Sequence, residues 1–282
     1  MSEAVSSLKI GICLSGGGAL GYAHIGVLQA LEENGIFPDV ISGSSMGAIV
    51  GVLYAAGHSP ESIIQVVRNE KIFKISNIIN PSFSKTGISD QKVLRKLLID
   101  LVPHNNFKDL QKEYFVCISN LNTAEWEVIG DGNLLHEYVV ASASIPGVFE
   151  ANNIGDGTYV DGGLFNNLPS QILKDKCDII IGVDVLPYYE KKTITKRTEI
   201  LAHSIRAVEH LNSNEGRKLC DFLIESPAIQ KYNEFSFDKY EEIIQIGYNS
   251  AIQYMKENPD LLKLNTNYVE NLTKKLIPDG KK

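Results

Sequence analysis

Five residues, Gly43-Ser44-Ser45-Met46-Gly47, constrain this chain more than any others. They follow a short β-type run, Val40-Ile41-Ser42, and open a helical apolar run from Ala48 to Ala56. This is G-x-S-x-G at a strand-to-helix junction, where a sharp turn lifts a serine Oγ above a sheet. Glycine at 43 and 47 keeps β-carbons out of the turn and away from the chain packed beside it. Met46, first in the helix, turns its backbone N–H toward any oxyanion forming at Ser45, and the helix N-terminus adds partial positive charge. Taken alone, the pattern is equally a small-residue turn that opens a buried helix.

A second turn sits upstream. Ser15-Gly16-Gly17-Gly18-Ala19-Leu20-Gly21 follows the strand-like run Lys9 to Leu14. A glycine turn after a strand can point successive N–H groups at an anion, or can simply let a helix pack closely. Residues 19–34 read as a helix, with Ala19, Ala23, Val27, Ala30 and Leu31 at helical spacing, Gly35 to end it and Pro38 beyond. The order β-α-β-α predicts two parallel strands whose C-terminal ends share one sheet edge, where open α/β sheets bind ligands. Gly16, Gly18 and Gly21 also fit a dinucleotide fingerprint. That fingerprint wants an acid ending the second strand; Asp39 precedes it, so nucleotide binding is the weaker reading.

Beyond the elbow the pattern stays α/β. Glu61–Arg68 and Gln91–Leu101 read as helices, separated by an apolar stretch (72–83) that is either a lipid-contacting lid or packing beneath them. Tyr114–Ser119 and Glu125–Ile129 predict a hairpin. Leu134–Ser144 reads as a helix, Thr158–Val160 as a short strand entering Asp161-Gly162-Gly163, Ser170–Lys176 as a short helix and Asp178–Val185 as a strand buried on both faces. A charged linker (186–197), a long helix (Arg197–Leu219), a strand (Phe222–Ile224) and an amphipathic helix (Asp238–Lys256) follow.

Composition excludes several classes. At 282 residues with a net charge of -7, a nucleic-acid surface is disfavoured. The basic clusters at 191–197 and 274–275 read as solvated faces. Cys13, Cys117, Cys177 and Cys220 are widely spaced, without metal-type spacing, and predict free thiols in a reducing compartment. With no apolar signal core at the start of the chain, a cytoplasmic location is expected. The uncharged run from Val40 to Pro60 has the length of a membrane span, but its Gly, Ser and Pro content favours strand, turn and buried helix.

A nucleophilic serine needs a base. His58, His104, His136, His203 and His210 follow the elbow, and none follows a recognisable strand end; His24 reads as a packed structural residue. Asp161 ends a strand and enters a Gly-Gly turn, so its carboxylate is unshielded. An ordinary carboxylate, with a pKa of about 3.9, is a weak base at neutral pH, and burial would raise it. The residues alone leave Asp161 as either a base or part of a tight turn.

With Gly16–Gly21, Gly43–Gly47 and Asp161-Gly162-Gly163 in this order, joined by Ala141 to Phe149, the chain resembles the patatin-like phospholipases over residues 9–185, and more loosely beyond. The resemblance implies a three-layer α/β/α fold around a mostly parallel sheet. It implies one catalytic domain over 9–256 and a peripheral tail over 257–282. It also implies hydrolysis of fatty-acyl esters of (phospho)lipids with no metal and no cofactor, through an acyl-enzyme on Ser45 with Asp161 as base. The amides of Gly16, Gly17 and Gly18 would form the oxyanion hole, beside Met46. Expected partners are a lipid or acyl-ester substrate and transient contact with a membrane surface, without nucleic acid. The sequence departs from the family at Leu20, where Arg or Lys is frequent, and that bears on recognition of an anionic head group. Acyl transfer to another lipid, or a non-catalytic lipid-binding or regulatory role, are the alternatives.

Overall fold

The computed structural model describes residues 8–69, 91–186 and 197–265. The apolar stretch at 72–83 and most of the charged linker lie outside these residues, as do the basic residues at 191–196 and 274–275. Strands β1 (Ile10–Leu14), β2 (Val40–Gly43), β3 (Glu113–Asn120), β7 (Ile179–Asp184) and β8 (Phe222–Glu225) form the parallel body of one mixed sheet. Strands β4 (Glu125–Ile129), β5 (Asn152–Ile154) and β6 (Gly157–Asp161) add antiparallel pairings around β3. The order is β5-β6-β3-β2-β1-β7-β8, with β4 also paired to β3.

Side-chain alternation along these strands divides the core in two. Ile10, Ile12, Leu14, Ile41, Tyr114, Val116, Ile118, Ile181 and Val183 face one side. There α1 (Tyr22–Glu33), α2 (Met46–Ala55), α5 (Leu135–Ser142) and α7 (Tyr240–Glu257) contribute to the same core. Cys13, Val40, Phe115 and Ile180 face the other side, against Leu168 and Leu173. A 3₁₀ turn at Ser170–Leu173 and the long helix α6 (Arg197–Lys218) cover that side. The result is the expected three-layer α/β/α arrangement.

Every residue of α2 is buried, which accounts for the uncharged run: this is a central helix beneath the sheet. Among the described residues no helix is long and apolar enough to cross a membrane. Helices α3 (Pro60–Asn69) and α4 (Lys92–Leu101) bury only one stripe each, Ile63 with Val67 and Leu97 with Leu98. All four cysteines are free thiols, Cys13 and Cys117 fully buried.

Strand β5 escapes a reading by pattern because its Asn152-Asn153 pair is polar; it is held at the sheet edge by its hairpin with β6. The expected peripheral tail begins with α8 (Pro259–Leu262), whose Leu261 is fully buried. Asn265 then donates to the Asn34 carbonyl at 2.7 Å.

The arrangement around β3 positions the site. A strand has two edges, and β4 occupies one of them from Val116 to Asn120. The other edge is shared: β2 pairs along it up to Gly43↔Val116, and β6 pairs along it starting at Asp161↔Ile118. β2 runs parallel to β3 and β6 antiparallel, so their C-terminal ends point at each other across the level of Cys117.

Candidate active site

The elbow grows directly out of this end-to-end meeting. Ser45 caps α2 with φ 53° and ψ -125°, a positive φ that a non-glycine residue adopts only when its surroundings enforce it. The enforcing contacts are visible. The Ser45 N–H donates to Ser142 Oγ at 3.0 Å, and Ser142 Oγ donates to the Cys117 carbonyl at 2.6 Å. The last residue of α5 therefore clamps the elbow backbone to β3. At Gly47 a β-carbon would collide with the carbonyl oxygens of Leu14 and Ser15, so only glycine lets α2 pass this close to β1.

Ser45 Oγ donates to Asp161 Oδ2 at 2.6 Å. The other carboxylate oxygen, Oδ1, accepts the Gly163 N–H at 2.8 Å. Both residues are nearly sealed, at 6% and 3% exposure. Burial pushes the Asp161 carboxyl up from 3.8 to about 7, against the opposing pull of the Ser45 and Gly163 hydrogen bonds. An aspartate so raised has the basicity that a proton acceptor needs near neutral pH.

The glycine loop lies against the same point. Ser15 Oγ accepts the Val185 N–H at 3.0 Å and donates to the Gly16 carbonyl at 3.0 Å. His24 Nε2 donates to the Ser15 carbonyl at 2.8 Å. Burial pushes His24 down to about 4, so it is a neutral tether. The Gly16 N–H is already engaged by Asn167, through Oδ1 at 3.1 Å and the carbonyl at 3.2 Å. Gly16 is thereby tied to Asn167. Among the described residues no acceptor meets the N–H groups of Gly17, Gly18 or Met46. Gly17 and Gly18 line a cavity of about 300 Å³ that also reaches Ser45 and Asp161.

The cavity wall is mostly apolar, with Ile145, Val148, Ile205 and Phe235. Its basic residue is Arg206, 6% exposed and ion-paired to Glu234 at 2.9 Å. The Glu234 carbonyl accepts the Ala19 N–H at 2.9 Å, which ties this pair to the glycine loop. Leu20 is fully buried in the core and does not face the cavity.

Among the histidines after the elbow, His58 bonds Ser62 and the Leu101 carbonyl, and His136 donates to the Val102 carbonyl. Asp39 exchanges two hydrogen bonds with Ile10 at the opposite end of the sheet, far from a sugar-binding position. Among the described residues no cluster of three metal-ligating side chains exists. Ser142, Asn167 and Asn212 were not singled out from the sequence. Asn212 of α6 donates to the Gly163 and Leu164 carbonyls at 2.9 and 3.0 Å, and accepts the Asn167 N–H at 2.8 Å. A serine and two asparagines carry no sequence signal for such roles; the block Ala141–Phe149 holds the nearest hint.

Fold and site together define an α/β protein with a serine on a strand-to-helix elbow, hydrogen-bonded to a buried carboxylate beside a glycine loop. The sequence profile described as patatin-like phospholipase matches residues 12–174, more than half of the chain. The chain belongs to that family. Over 93% of its length it is 26% identical to a Kluyveromyces lactis protein named lysophospholipase NTE1. Over 88% it is 26% identical to human patatin-like phospholipase domain-containing protein 6. It spans about 20% of the length of each of these relatives. Among solved structures, VipD from Legionella pneumophila shares the fold, with a TM-score of 0.50 and 14% identity over 89% of this chain and 67% of that one.

Proposed function

We propose that this chain is a serine acyl hydrolase of lipid esters, of the phospholipase A or lysophospholipase kind. The observation that carries the reading is the 2.6 Å hydrogen bond from Ser45 to a buried Asp161, with no histidine interposed. Asp161 takes the Ser45 proton as Oγ attacks the acyl carbonyl. The Gly17 and Gly18 N–H groups, with the Met46 N–H at the helix start, face the oxyanion; each such donor is worth about 2.7–4 kcal/mol in comparable sites. The proton then passes from Asp161 to the leaving alcohol, the acyl group stays on Ser45, and water releases it by the reverse steps. The apolar wall suits an acyl chain and supports a lipid substrate met at a membrane surface. Four free thiols support action in a reducing compartment such as the cytoplasm.

The test is labelling by a fluorophosphonate probe in wild type, Ser45→Ala and Asp161→Asn, with lipid ester turnover measured in parallel. Labelling and turnover should vanish in the first variant and fall steeply in the second. Ser44→Ala is the control and should label normally. Substantial turnover by folded Ser45→Ala would sink the assignment.

A further inference from the structure

One wall of the cavity is formed by α6, which presents Ile205, Arg206 and Glu209. Glu209 faces the dyad across an unusual gap. The point that a β-carbon on Gly163 would occupy lies 3.1 Å from Asp161 Oδ1 and 3.2 Å from Glu209 Oε1. Asn167 Oδ1 lies 2.7 Å from the same point, so with glycine at 163 this amide and the two carboxyl groups share one small space. Other charges facing Glu209 come from three elements. Arg206 belongs to its own helix, Glu234 to the segment before α7, and Asp184 to the end of β7. Arg206 is paired with Glu234, and Asp184 with Arg217 at 2.5 Å.

We propose that Glu209 is a positioning residue for substrate in this cavity: the acyl chain enters only while the Glu209 carboxyl is uncharged, and its ionisation closes the site to lipid on the alkaline side. The argument is linkage. An apolar chain that fills a cavity walled by Ile145, Val148, Ile205 and Phe235 removes water from any carboxyl in that wall. A dehydrated carboxylate is costly, a dehydrated carboxylic acid far less so. Substrate therefore binds the protonated form better, and by reciprocity the ionised form binds substrate worse. The electrostatics put this transition within reach of assay. Burial, reinforced by Asp161, Glu234 and Asp184 and opposed by Arg206, pushes Glu209 from 4.5 to about 8. Asp161, raised to about 7, and Glu209, raised to about 8, repel one another, so their protons leave in two steps with a singly ionised site between them. The reaction uses that single charge on Asp161.

The inference rests on Ser45 and Asp161 being the dyad, and the experiment separates the two. Hydrolysis of a neutral medium-chain p-nitrophenyl ester is followed from pH 6 to 10 in wild type, Ser45→Ala and Glu209→Gln. In wild type, kcat/KM should fall to about a tenth of its maximum by pH 9, following an ionisation near 8. The loss should be carried by KM. In Glu209→Gln the alkaline fall should disappear, while the acid limb set by Asp161 stays. Turnover surviving in Ser45→Ala would refute the dyad. An active, Ser45-dependent enzyme whose alkaline fall is absent, is carried by kcat alone, or persists unchanged in Glu209→Gln would refute this inference and leave the dyad standing. If Glu209→Gln does not fold, a ¹³C carboxyl titration of the wild-type protein decides. One glutamate should titrate near 8; if every glutamate titrates in the ordinary carboxylate range, the proposal fails.

Discussion

Replacing Asp161 with asparagine should make the protein more stable while it disables the site. The side chain is nearly isosteric, and its Oδ1 can still accept a hydrogen bond, so the geometry survives. What disappears is a carboxyl buried to 3% exposure whose pKa rises from 3.8 to about 7 on folding. That rise corresponds to a ceiling of about 4 kcal/mol of destabilisation once the group is ionised in both states. The sign follows from proton counting. Below pH 3.8 the carboxyl is protonated whether folded or not, and it costs nothing. Between 3.8 and about 7 the unfolded chain has released the proton and the native state has not, so native stability falls as pH rises. Above about 7 the cost is constant. Thermal melts of wild type and Asp161→Asn should coincide near pH 4 and separate progressively up to neutrality, with the variant higher. Even about 1 kcal/mol would raise Tm by about 2–4 °C in a domain of this size. A variant less stable than wild type at pH 8, or a difference that does not change with pH, would refute the reasoning. Asp161 would then be an ordinary structural carboxylate.

Three other outcomes follow from the same geometry. On the acid side, kcat/KM should follow the ionisation of Asp161 and drop to about a tenth of its plateau at pH 6, as pH-rate profiles will show. Ser142→Ala removes the acceptor of the Ser45 N–H and should lower stability by about 1–3 kcal/mol in urea denaturation. It should also slow probe labelling by up to about 100-fold, because the nucleophile loses its fixed orientation. Gly47→Ala drives a methyl group into the Leu14 and Ser15 carbonyls and should cost about 3 kcal/mol or more, read as a loss of folded protein by circular dichroism.

Local signals in the sequence reached the elements with strong periodicity. β1, β2 and the uniformly apolar α2 are visible because burial on all sides leaves an uncharged run. The hairpin β3–β4 is visible because two runs rich in strand-forming residues flank a short turn at 121–124. The sheet order was not legible, since nothing in β6 says that it extends the edge already used by β2. The same limit applies to the site. Ser45 and Asp161 are marked by the glycines around them, whereas Ser142, Asn167 and Asn212 act through tertiary approaches that leave no local trace. Gly16 illustrates the difference: a run of three glycines advertises three amides, and only the fold shows that Asn167 takes the first.

The division of one edge of β3 between two strands makes the site discrete. Asp161 reaches Ser45 because it sits opposite Ile118, two residues beyond the partner of Gly43. A strand moves along its ladder only in whole residues, and a slip of one turns every side chain to the other face. Gradual change in β6 therefore cannot bring the carboxylate slightly nearer or farther. A single deletion within β6 would present Val160 or Gly162 to the serine and carry the acid through to the opposite layer. The connection between α5 and β5 is restricted as well, because its Ser144 carbonyl accepts the Asp161 N–H at 3.0 Å and its Ile145 and Val148 line the cavity. Across the family, the length between Gly157 and Asp161 should be invariant.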